Sequence, residues 1–189
     1  EAGARTNKPV IDADAMGRAF PEMRMSTHFI AGVSCTPGAM VDEKGNCIVL
    51  GYMTDSFALE RFARDLCVHM GATSMLALPV MKGSEIRHTS VRDTMTLARR
   101  VGEAVIHARA VKSHFTDAIL GVTGGSELFT GKLIDVQRQT VGGFARGELI
   151  AEGLGEYRGD FLHIAFQNEN LVAWRGDRDV RGEVVACCL

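Results

Sequence analysis

The feature that most constrains this chain is a change of texture at residues 121–125, GVTGG. Beyond it, apolar and polar residues alternate with a period of two. KLIDVQRQT (residues 132–140), FARGELIAEG (144–153), DFLHIAFQ (160–167) and ENLVAWRG (169–176) each read as a strand. Glycines punctuate them at Gly142-Gly143, at Gly153 and Gly155, and at Gly159. Short strands at this spacing predict a small all-β barrel or sandwich over residues 122–189.

Upstream, residues 1–121 mix strands with helices, as in an α/β layered domain. KPVIDA (8–13), THFIAGV (27–33) and NCIVLGY (46–52) read as strands, with DEKGN (42–46) as a turn. A helix follows, with Asp55 or Ser56 as its cap. Leu59, Phe62, Ala63, Leu66 and Met70 form its inner stripe, and Gly71 its stop. TSMLALPVM (73–81) reads as a buried strand that leaves the sheet at Pro79. A second helix begins near Asp93, with Met95, Ala98, Val101, Val105 and Ala108 inward, and a shorter one spans residues 113–120.

Several function classes are excluded early. The net charge is −2 and no Lys/Arg-rich block occurs, so no nucleic-acid partner is expected. No run of 18 apolar residues occurs, so no membrane span is expected. The start at Glu1, without Met or a leader pattern, reads as if the chain begins inside a longer protein. Five Cys without a C-x-x-C pair predict free thiols, mostly buried, in a reducing cytoplasm; adjacent Cys187 and Cys188 would make a strained bridge. Phosphate-loop glycines and a G-x-S-x-G elbow are absent, so no nucleotide cofactor and no serine nucleophile are expected. The six His lack zinc spacing.

The charged residues after the first strand carry the functional reading. If KPVIDA were a parallel strand, Asp12 and Asp14 would sit at its carboxyl end, where open α/β sheets gather ligands. Two residues apart on an extended chain, they would face one side. Such a pair can divide acid and base roles or share a divalent metal. Arg18 can hold an anionic group bidentately. A solvated polar loop accounts for the same residues. Gln167-Asn168-Glu169-Asn170 interrupts two apolar strands, either as a turn or as a polar patch facing the first domain.

Read in order, DADAMGRAFPEM, MSTHFIAGVSCTP, DEKGN, GGSELFTGKLIDVQRQTVGGFARGELIAEGL and IAFQNENLVAW resemble the S-methyl thiohydantoin desulfurase family. The family was long catalogued as a domain of unknown function and is often encoded beside, or fused to, hydantoinase/oxoprolinase enzymes. The resemblance covers nearly the whole chain. It implies an α/β domain lacking its N-terminal part, followed by a β-barrel-like domain. It also leads one to expect an aromatic residue at position 28, where this chain has His28.

The implied reaction is hydrolytic loss of a thiol from an S-substituted five-membered cyclic ureide in an inter-domain cleft. Asp12, Asp14 and Glu22 are then the expected base and proton shuttles. Arg18, Asn168 and Glu169 are the expected substrate-binding residues, and a divalent metal could activate the water instead. The alternative is a non-catalytic partner or fused module of a hydantoinase/oxoprolinase-type enzyme. An open strand edge would also allow a homo-oligomer.

Overall fold

A computed structural model describes residues 2–187, so Cys188 lies outside the described residues. Its elements in chain order are α1 (Ala2–Thr6), β1 (Ala13–Asp14), α2 (Thr27–Ile30), β2 (Gly38–Val41), β3 (Cys47–Leu50), α3 (Ser56–His69), β4 (Met75–Ala77), α4 (Gly83–Thr89), β5 (Val91–Arg92), α5 (Thr94–Ala110) and α6 (Phe115–Thr123). Five strands follow: β6 (Gly131–Val141), β7 (Phe144–Gly153), β8 (Phe161–Gln167), β9 (Glu169–Asp177) and β10 (Val180–Cys187).

Strands β6 to β10 form one antiparallel meander in sequence order. Gly142 and Gly143, at φ of 59° and 78°, make the two-residue turn between β6 and β7, where a side chain would strain both positions. Asn168, at φ of 58°, turns β8 into β9. The sheet is open, with β6 and β10 at opposite edges, so the expected closed barrel does not form, and a single sheet is not a sandwich. Alternation and turn glycines dictate neighbouring antiparallel strands, but they are silent on whether the outer two meet. All eleven residues of β6 are exposed.

The other sheets are small and also antiparallel: β3-β2-β4, and the pair β1-β5. Helix α3 packs on the three-stranded sheet. Leu59, wholly buried, and Ala63 meet Met40, Leu50 and Cys35, with Met23, Phe29, Leu66 and Leu76 around them. The Asp55 side chain accepts from the Ala58 N–H at 2.8 Å and starts α3 as its cap. Phe62 leaves the expected inner stripe and is 47% exposed, with the Arg61 guanidinium over its ring. In α5 only Ala108 of the expected stripe is buried, and Met95 lies outside.

Three local expectations are corrected. KPVIDA is not a parallel strand: only Ala13 and Asp14 pair, antiparallel to Arg92 and Val91, and Val10 and Ile11 are exposed. THFIAGV is not a strand either. Ser26 caps it and residues Thr27–Ile30 form one helical turn, held by two bonds from Thr27 to the Ala15 carbonyl. Of the described thiols only Cys35 is buried; Cys47 and Cys187 are exposed. The DEKGN turn is as expected. Asp42 accepts from the Lys44 and Asn46 N–H groups, and Gly45 adopts φ of 86°.

Candidate functional site

A cavity of about 450 Å³ opens beside the Asp14 turn. Phe29, Val33, Leu78 and Met81 supply apolar walls, while Asp14, Arg18 and His28 bring charge or protons to it. The sequence builds it by a reversal directly after β1. Asp14 Oδ1 accepts from the Met16 and Gly17 N–H groups at 2.8 and 2.5 Å, and Gly17 takes φ of 74° to close the turn. Burial alone would raise the Asp14 carboxyl; the Gly17 and Met16 N–H groups, then the nearby Thr94 hydroxyl and last His28, outweigh it, and the group titrates below its ordinary value.

Arg18 follows the turn. Its Nη1 donates to the Ala19 carbonyl at 2.8 Å and its Nη2 to the Asn170 carbonyl at 3.2 Å, with the guanidinium stacked over Phe20. Its Nε is buried and has no hydrogen-bond partner. The Arg18–Asn170 bond links the cavity segment to the β8–β9 turn.

The other expected site residues lie elsewhere. The Asp12 carboxylate accepts from the Thr96 hydroxyl and N–H at 2.5 and 3.0 Å, at the first turn of α5. The Thr96 hydroxyl is the main reason that Asp12 titrates below its ordinary value. Glu22 pairs with Arg24 in a second depression, beside Glu60 and Arg64. Asn168 binds β7 through its backbone N–H and side-chain Oδ1, which engage the Ala145 carbonyl and N–H. Glu169 opens β9 and keeps one buried carboxylate oxygen without a partner. None of these four residues lines the 450 Å³ cavity. Sequence reasoning did not single out His28 as a site residue. Its partner Thr89 stands 61 residues away, and no spacing rule joins them.

The ion cluster around Glu60 is a clamp. Glu60 is 6% exposed and accepts from the Met23 N–H at 2.6 Å. Arg64 donates to Glu60 and to the Pro21 carbonyl, and its guanidinium lies 4.2 Å from the Phe144 ring centroid.

A smaller cavity of about 260 Å³ on the large sheet holds Glu148, His163 and Arg181. His163 is buried between Glu148 and the Asp177 carbonyl, both at 2.9 Å. Arg181 pairs with Glu148 and stacks on Trp174. The Arg181 hydrogen bond, opposed by burial and assisted by His163, holds the Glu148 carboxyl below its ordinary 4.5. A carboxyl so lowered stabilises the fold above the unfolded value and loses that contribution as pH falls through the folded one. Thermal melts between pH 7 and pH 3 are therefore expected to show a smaller acid-side loss in Glu148→Gln than in the wild type. Equal losses would remove this pair from the acid response.

No three His, Cys, Asp or Glu side chains among the described residues come together to hold a metal ion. No helix among them is long and apolar enough to cross a membrane.

Residues 1–52 match the N-terminal domain of S-Me-THD-like proteins, and residues 54–188 match the C-terminal domain. Among solved structures, a crystal structure of a protein from Chromobacterium violaceum is 26% identical, with a TM-score of 0.70, over 98% of this chain and 48% of that one. The chain thus spans about half the length of that structure. No curated protein matches it. The two domain matches run over the same stretches that carry the motifs, and the chain belongs to the S-Me-THD-like family, that of the S-methyl thiohydantoin desulfurases.

Proposed function

We propose that this chain acts in hydrolytic removal of a thiol from an S-substituted thiohydantoin, with the ring bound in the cavity of Asp14, Arg18 and His28. The observation that carries the reading is a cavity of about 450 Å³ with mostly apolar walls and three convergent polar side chains, within a chain of this family. That volume and lining suit a small heterocycle with one polar edge.

The reaction adds water to the ring carbon that bears sulfur. The resulting tetrahedral centre expels the thiol and leaves a hydantoin carbonyl. Asp14 stays ionised and is a weak base, because two N–H groups already stabilise its charge. Its part is to accept from a ring N–H and to stabilise the positive charge that forms on the base that takes the water proton. Arg18 lines the cavity and keeps a second N–H on each of Nη1 and Nη2 beyond its bonds to Ala19 and Asn170, which makes it a donor for the ring carbonyl. Apolar walls limit bulk water and strengthen both interactions.

The test is turnover by the protein of S-methyl thiohydantoin, hydantoin and oxoproline, with and without chelator, followed by free-thiol titration and ring-opening analysis. Thiol release from the first compound alone is the expected result. A well-folded protein that turns over none of the rings would overturn the reading in favour of a non-catalytic partner of a hydantoinase/oxoprolinase-type enzyme.

A further inference from the structure

We infer that His28 is the base of this cavity, locked by Thr89 in the tautomer that leaves Nε2 free to accept a proton. The inference rests on the hydrolytic reading above for its reaction, and on the hydrogen bonds around Thr89 for its geometry. His28 stands on α2 and lines the cavity. Its Nδ1 lies 2.7 Å from the Thr89 hydroxyl oxygen, which in turn lies 2.7 Å from the Glu85 carbonyl.

A threonine hydroxyl carries one proton. A carbonyl only accepts, and two oxygens 2.7 Å apart with no proton between them would repel, so the Thr89 proton points at Glu85. The oxygen can then only accept from His28, and Nδ1 must carry the ring proton. In the neutral ring Nε2 therefore has its lone pair, and it makes no hydrogen bond with the described residues. The charged side chains that share the cavity with it are Asp14 and Arg18, both from the turn after β1, and α4 meets the ring through Thr89.

In the step, Nε2 takes one proton from water as its oxygen bonds to the ring carbon. The carbon–nitrogen π pair moves onto the ring nitrogen. The second water proton passes from the new hydroxyl to that nitrogen, the carbonyl forms, and the carbon–sulfur bond breaks. The leaving thiolate takes the proton back from the imidazolium and departs as the thiol. Thr89 is a positioning residue.

Asparagine at 28 keeps a donor for Thr89 and cannot take a proton, so His28→Asn is expected to lower kcat about a hundredfold or more. Thr89→Val is expected to cost about tenfold in kcat, with Thr89→Ser restoring it. In ¹⁵N-labelled wild type, the long-range ¹H–¹⁵N spectrum of the neutral His28 ring should show the Nδ1–H tautomer, and Thr89→Val should lose it. An Nε2–H ring in the wild type, or an undiminished kcat in His28→Asn, would overturn the inference. A wild type that releases no thiol would overturn the hydrolytic reading instead, while the spectrum decides the tautomer by itself.

Discussion

Asp14→Asn is expected to lower thiol release at least about a hundredfold, as removal of one preorganised electrostatic partner does in other active sites. The fold should stand, with only a small fall in melting temperature from the lost charge. The argument lies in which oxygen does what. Both turn-forming N–H groups are accepted by Oδ1, and an asparagine carbonyl can accept the same two bonds without the charge. The substitution removes the negative charge and leaves the reversal after β1 standing. A fully active variant would take Asp14 out of the reaction. A variant that fails to fold would make the carboxylate a structural group.

Gly147→Ala is expected to break the pairing of β6 with β7, at a cost of about 4 kcal/mol or more. Gly147 lies opposite Arg138 in the ladder, and a Cβ there would stand 1.9 Å from the Gln137 carbonyl oxygen and 2.7 Å from the Phe166 ring. The Phe166 ring can rotate aside; the carbonyl belongs to the neighbouring strand and cannot. Urea denaturation checks this directly. A loss within about 1 kcal/mol, the middle of the range for point mutants, would mean that the strands do not approach as described.

Legibility in the sequence followed the range of the determining contacts. Strand β7 coincides with the stretch read from alternation between Gly142-Gly143 and Gly153, and α3 begins and ends beside Asp55 and Gly71 as read. These signals sit within a few residues of what they determine. The helical turn at Thr27–Ile30 depends on Ala15, a dozen residues away, and its β-branched and aromatic residues favour a strand when read alone. The period of an extended chain pairs Asp12 with Asp14. The turn after Asp14 and the capping demand of α5 send them to different partners. Helix α4, only seven residues long, shows no apolar stripe in the sequence, although it supplies the Thr89 that orients His28. Apolar alternation could not tell a closed barrel from an open sheet, because edge closure depends on tilt and stagger rather than on pattern.

The Arg64 guanidinium has a consequence for how the molecule comes apart. It lies against the Phe144 ring at the head of β7, binds the Pro21 carbonyl, and braces Glu60, whose other oxygen holds the backbone of Met23 in the cavity wall. Loosening the first hairpin of the large sheet therefore unsettles the wall on which a bound ring would rest, and filling the cavity steadies the hairpin in return. The sheet and the cavity are thus thermodynamically linked, so that occupancy of one is felt as cooperativity in the melting of the other.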